Sequence, residues 1–244
     1  MSSFKIEVAG RAVSVDTVHI LPYGVCRPFF SERVPDFHIC STQDDIDNER
    51  ALFQREKGNA ALWDGNIEVL AVLRILADRF IDYDTLVLHG AVIAVDGFAY
   101  LFSGKSGTGK TTHILKWLKR LPDAFVVNGD KPFIKMSGGN APPLACGSPW
   151  AGKESMYTNA MVPLKSIILM ERAEENRIEQ ISFIQAFPFL LQQVYRPEDE
   201  EKMRKTLKLM QQLNPAVSFW RFHCNNFKDD CFDVAYGALV KGQP

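Results

Sequence analysis

Gly104-Lys105-Ser106-Gly107-Thr108-Gly109-Lys110-Thr111, continued by Thr112, satisfies the pattern G-x-x-x-x-G-K-[ST] at every specified position. Glycines at these points let the backbone turn successive N–H groups toward phosphate oxygens, and a helix starting behind them adds its partial positive charge. Lys110 is then the cation for the β- and γ-phosphates, and the Thr111 hydroxyl an oxygen ligand for Mg²⁺. At average residue usage the pattern arises by chance in about one chain of this size in a hundred. The flanks sharpen it. Phe98-Ala99-Tyr100-Leu101-Phe102 is an apolar run ending at Ser103, and Thr112 to Leu121 carries Leu115 and Leu118 in a helical setting, so the loop falls between a strand and a helix. No N-K-x-D element for guanine is present, which favours ATP over GTP.

Working outward toward the N-terminus, Leu86-Val87-Leu88 and Val92-Ile93-Ala94-Val95 are further apolar runs, and Asp96-Gly97 between the second run and Phe98 predicts a hairpin. Asn66 to Asp82 places Val69, Leu73, Leu76 and Phe80 at helical spacing. Before it lies a charged stretch from Asp44 to Lys57, and before that short β segments such as Phe4 to Val8, turned by Ala9-Gly10 and around Pro22 and Gly24. Toward the C-terminus, Ala124 to Val127 is a strand ending at Asn128-Gly129-Asp130, and Ile134 to Met136 and Ser166 to Met170 continue the strands. Ser182 with Gln185 has capping-box spacing. Pro197 and the acidic Glu198 to Glu201 open a helix with Met203, Leu207, Met210 and Leu213 on one face, and Asp229 begins a last helix toward Lys241. The expected architecture is α/β, with a small β-rich N-terminal α+β region carrying a helix over 1–84 and a nucleotide-binding domain over 85–244.

Over 244 residues, 28 Lys and Arg nearly balance 29 Asp and Glu, so no net field exists to hold a nucleic-acid backbone or an anionic membrane. No run approaches a membrane-spanning length and the N-terminus lacks a signal pattern, which points to a cytoplasmic protein. The five cysteines, Cys26, Cys40, Cys146, Cys224 and Cys231, show no C-x-x-C spacing and are expected as buried thiols.

Leu88-His89-Gly90 through Gly97, the loop itself, and Asn128-Gly129-Asp130-Lys131 together resemble the catalytic core of HPr kinase/phosphorylase, and more distantly ATP-dependent phosphoenolpyruvate carboxykinase. The likeness covers about residues 85 to 155 well, and the whole chain looks like a stand-alone bacterial homologue of that kinase. The resemblance implies an ATP- and Mg²⁺-dependent kinase acting on a hydroxyl of a small molecule or a protein. It places His89 at the active-site histidine and Asp130 at the second aspartate of an Asp-Asp-Arg element, the general base of phosphorylation. Gly129 stands where the family has the first aspartate and Lys131 where it has arginine; Glu154 lies near a second magnesium-binding glutamate.

Read on its own, Asp130 at a strand end fits a magnesium ligand, a base or a turn aspartate, and His89 beside a glycine fits a site residue or one that satisfies a backbone carbonyl. Lys153 and Glu154 sit in an irregular Gly- and Pro-containing segment. Arg196 and Arg221 are phosphate clamps or surface ion pairs, and the His223, Cys224, Asp229, Cys231 grouping fits no zinc spacing. Two rival functions remain open: a carboxykinase-like enzyme, which needs clustered arginines, and a non-catalytic nucleotide-binding regulatory module.

Overall fold

A computed structural model describes residues 1–58, 62–139 and 141–242; the remaining positions of the expected 1–84 and 85–244 regions lie outside the described residues. The chain divides into two compact units, Met1–Tyr83 and Asp84–Pro244.

In the first unit β1 (Ser2–Val8) and β2 (Arg11–Thr17) form an antiparallel hairpin whose turn, Ala9 and Gly10, has φ of 50° and 73°. Positive φ at both turn residues matches the strand twist. A helix α1 (Leu21–Cys26) follows, then β3 (Phe37–Cys40) parallel to β2, then α2 (Gln43–Lys57) and α3 (Asp64–Ile81). Two expectations change here. Pro22 and Gly24 do not turn the chain, because Pro22 sits at the start of α1, where a missing N–H costs nothing. The charged stretch becomes α2, started by a reciprocal cap: Thr42 Oγ1 accepts from Asp45 N (3.3 Å) and Asp45 Oδ2 from Thr42 N (2.8 Å). Glu68, fully buried on α3, accepts from Val18 N (2.6 Å), His19 N (2.7 Å) and His19 Nδ1 (2.9 Å). Those bonds are what make its burial tolerable.

The second unit is built on a mixed nine-stranded sheet. In chain order it contains β4 (Thr85–Val87), β5 (Ala91–Val95), β6 (Phe98–Ser103), α4 (Lys110–Arg120), β7 (Phe125–Asn128), β8 (Phe133–Lys135), β9 (Leu144–Cys146), β10 (Met161–Arg172), β11 (Arg177–Ile181), α5 (Phe183–Gln193), α6 (Glu200–Ala216), β12 (Ser218–Cys224) and α7 (Cys231–Leu239). Asp96 and Gly97, with φ of 51° and 79°, make the predicted hairpin between β5 and β6. At the centre, β6, β10 and β12 run parallel, so their carboxyl ends open on the same edge. Strands β9, β11 and β12 were not anticipated from the sequence.

Both faces of the sheet are covered, which is why β5 reads as a continuous apolar run. On one face Val92, Leu101, Ile167 and Leu169 pack with Leu190 of α5 and Leu209, Met210 and Leu213 of α6. On the other, Ile93, Tyr100, Phe102, Ile168 and Met170 pack with Ile114 and Trp117 of α4 and Ala235 and Leu239 of α7. Trp117 is fully buried and donates its Nε1–H to His113 Nε2 at 2.9 Å; burial pulls His113 down to about 3, keeping the ring neutral. The central interlayer packing thus anchors α4, and with it the loop that α4 follows.

Candidate functional site

The glycine-rich loop leaves the carboxyl end of β6 and enters α4 at Lys110. Gly107 and Gly109 have φ of 81° and 93°, the left-handed region that β-carbon sterics close to most residues. The first turn of α4 has no side-chain cap. Lys110 is buried and stretches its Nζ back across the loop to the carbonyls of Gly104 (2.8 Å) and Lys105 (3.3 Å). Thr108 Oγ1 closes the loop on Lys105 O at 3.0 Å, Asn226 Nδ2 donates to Gly109 O at 3.0 Å, and Arg172 donates to Gly107 O. Lys105, Ser106 and Gly107 at the crown and Thr112 in the first turn are exposed, while Thr108, Gly109 and Thr111 are half-buried.

His89 lies between β4 and β5 and is held at four points. Its N–H donates to Gln193 O (2.8 Å), its carbonyl accepts from Ser103 Oγ (2.7 Å), and its ring Nδ1 meets Gln193 Oε1 at 2.9 Å. The other ring nitrogen, Nε2, is 3.3 Å from Asp130 Oδ1. Gly90 is required beside it, since a Cβ there would meet Phe102 O at 2.9 Å, and its N–H donates to Asp130 O at 2.9 Å.

Asp130 follows β7 through a turn built by Asn128. Asn128 Oδ1 accepts from Asp130 N (2.9 Å) and Lys131 N (2.7 Å), and Nδ2 donates to Ser148 O (3.0 Å) and Ser148 Oγ (2.9 Å). Burial pushes the Asp130 carboxyl up, but the His89 hydrogen bond and the positive charges of Lys131, His89 and Lys110 together hold it below the ordinary carboxylate value, so it is ionised near neutrality. For Lys110, burial pulls the ammonium down, Asp130 opposes that and Lys131 adds to it.

Gly129 is packed under the segment 149–156. A Cβ at 129 would meet Ala151 O at 2.7 Å and Met156 O at 3.3 Å, so no second carboxylate fits there. Glu154 is exposed in that segment, as is Lys153, and among the described residues no group of three or more His, Cys, Asp or Glu gathers to hold a metal. Oxygen donors suited to Mg²⁺ near the loop include the Thr111 hydroxyl and the ionised Asp130. The loop's own features suit a phosphate chain: positive-φ glycines, an uncapped helix start, and an ammonium held by carbonyls that offer it no counter-charge.

Arg221 is engaged with Glu171 (3.7 Å) and Glu179 (3.8 Å), and Arg196 is exposed. Cys40 is exposed rather than buried, because β3 alternates and Cys40 falls on its outer face; the other four thiols are buried. Two residues that position the site carried no recognised signal: Gln193 looks like an ordinary helix polar residue, and Arg172 ends a strand 65 positions from its partner Gly107; Asn128 stood in the quoted turn, but its side-chain bonds to Asp130 and Ser148 had no local signature. A cleft of ≈ 680 Å³ lies between Lys105–Thr108 and α5, lined also by Arg172, Phe189 and Gln192. Among the described residues no helix is long and apolar enough to cross a membrane.

No family model matches the sequence, and no curated protein matches it. Among solved structures the chain is similar to the Hpr(Ser) kinase/phosphatase from Coxiella burnetii, with 14% identity and a TM-score of 0.37, covering 64% of this chain and 97% of that one. At that TM-score the function rests on the geometry of the site itself.

Proposed function

We propose that the second unit is an ATP- and Mg²⁺-dependent phosphotransferase that moves the γ-phosphoryl group to a hydroxyl of a small molecule or a protein. The observation that carries this reading is the His89–Asp130 pair at 3.3 Å, set where Asp130 and Lys110 act on each other electrostatically. The loop from Gly104 to Thr112 binds the phosphates through its N–H groups, and Lys110 neutralises the β/γ charge that grows as the bond to the leaving oxygen breaks. Thr111 and Asp130 would hold Mg²⁺, which when bound supplies further charge neutralisation at the phosphate oxygens. Glu154, exposed in the segment that packs against Asp130 at Gly152, is the further candidate oxygen ligand. Asp130 enters as a carboxylate and accepts the acceptor's hydroxyl proton, and His89 Nε2 holds its oxygen in place.

ADP formation by purified protein with Mg²⁺-ATP, alone and with small-molecule and protein alcohols, tests this. Asp130→Asn is expected to lower turnover about 100-fold or more while ATP affinity falls far less. Excess Mg²⁺ restoring the variant would identify Asp130 as ligand rather than base. The second reading, a nucleotide-binding regulatory module, is favoured by Gly129, which leaves Asp130 without a carboxylate neighbour at 129. Tight ATP binding with no turnover in wild type and Asp130→Asn alike would establish it over the kinase.

A further inference from the structure

Between β12 and α7 the chain makes a short loop, Asn225 to Lys228, at the carboxyl end of the third parallel strand, on the same edge as the glycine-rich loop. Ligands of open α/β sheets bind along that edge. The loop is tied down at many points. Asn225 N donates to Asn176 Oδ1 (2.6 Å), and Asn225 Nδ2 to Glu174 O (3.0 Å). Phe227 N donates to Asn225 Oδ1 (3.0 Å), Lys228 N to Asn225 O (3.1 Å), and Lys116 Nζ to Lys228 O (3.2 Å). Asn226 fastens this loop to the start of α4 through Gly109 O at 3.0 Å.

On this fixed frame stands Phe227, 100% exposed and, among the described residues, with no ring or cation partner. An aromatic ring fully in water on an ordered loop forgoes the burial that normally stabilises it. Its Cα lies about 3.8 Å along the chain from that of Asn226, so it belongs to the immediate surroundings of the loop–helix junction. With the loop lysine reaching the β/γ-phosphates, as the motif requires, the nucleoside end of a bound nucleotide would lie toward the start of α4, the side on which Asn226 is fastened.

We infer that Phe227 is the stacking platform for the purine base of the nucleotide, a binding residue outside the phosphate loop; this rests on the proposed nucleotide function. One face of the base would cover the Phe227 ring, as bases do on aromatic side chains, with little demand for a particular hydrogen-bond pattern.

Calorimetry with ATP, ADP and inorganic tripolyphosphate, each with Mg²⁺, separates the base from the phosphates. Phe227→Ala is expected to weaken ATP and ADP about tenfold, the size of one base–aromatic stack, and to leave tripolyphosphate unchanged. Phe227→Trp is expected to retain ATP affinity and to show quenched indole emission when ATP binds. Unchanged ATP affinity in Phe227→Ala, or an equal loss for tripolyphosphate, overturns the inference and leaves the nucleotide function standing. Wild type that binds neither ATP nor tripolyphosphate overturns both.

Discussion

Replacing Asn128 by alanine removes one side chain that is 0% exposed and makes four hydrogen bonds at 2.7–3.0 Å. The losses are unequal. Lys131 N keeps a second acceptor, Trp150 O at 3.1 Å, and Ser148 Oγ keeps its bond to Lys131 O at 2.8 Å. The group left without its partner is Asp130 N, and Ser148 O loses a donor. One part-buried N–H left without its partner plus the net value of the remaining bonds comes to about 3 kcal/mol. For a unit of this size that corresponds to a Tm about 8 °C lower. Urea unfolding followed by far-UV circular dichroism reads the first number and a thermal scan the second. Ser148→Ala, which spares the bonds to Asp130 N and Lys131 N, is expected to cost about 1 kcal/mol. Because Asn128 aims Asp130, Asn128→Ala is also expected to lower turnover more than it lowers ATP affinity. A loss of stability below about 1 kcal/mol, or unchanged turnover, would refute the role assigned to this turn.

Lys110→Ala is expected to weaken Mg²⁺-ATP binding by about 2 kcal/mol, the size of a charge-assisted contact, and calorimetry checks it. Glu68→Ala in the first unit strands the N–H groups of Val18 and His19 and is expected to cost about 3 kcal/mol in urea unfolding. The Asp130 carboxyl is held below its usual 3.8, so its contribution to stability is fully present above that value and is lost as pH falls through the lower, folded value. The stability difference between wild type and Asp130→Asn should accordingly be present at about pH 5 and shrink below about pH 4. A difference that does not shrink on acidification would refute the lowered carboxyl.

Where local chemistry dictated structure, the sequence was readable. Asp96-Gly97 could only be a tight turn between two apolar runs, and the glycine pattern from Gly104 declared both its loop and the helix behind it. The order of His89, loop and Asp130 along the chain pointed at residues that do come together, though 41 positions separate His89 from Asp130 and no spacing rule brings them to 3.3 Å. Gln193 stayed hidden for that reason: its contact with His89 spans 104 positions and depends on how α5 lies against the end of β4. The helix α2 was obscured by its charge, because a mostly solvated helix lacks the apolar periodicity that reveals α3. Strand β12 carries Arg221 and His223 between buried Phe219, Phe222 and Cys224, and its polar residues together with the half-buried Trp220 break the simple alternation that reveals a strand.

The close fit of Gly129 beneath Ala151 also bears on how this site can change. A single-codon step to aspartate at 129 drives a side chain into a main-chain oxygen, and a carbonyl cannot swing aside as a lysine tip can. The segment 149–156 would have to be rebuilt first, through insertion, deletion or several replacements, before a second acid became tolerable. Any route to a two-aspartate site here therefore passes through the length and shape of that segment. Directed evolution toward such a pair should begin with libraries there, with position 129 varied only afterwards.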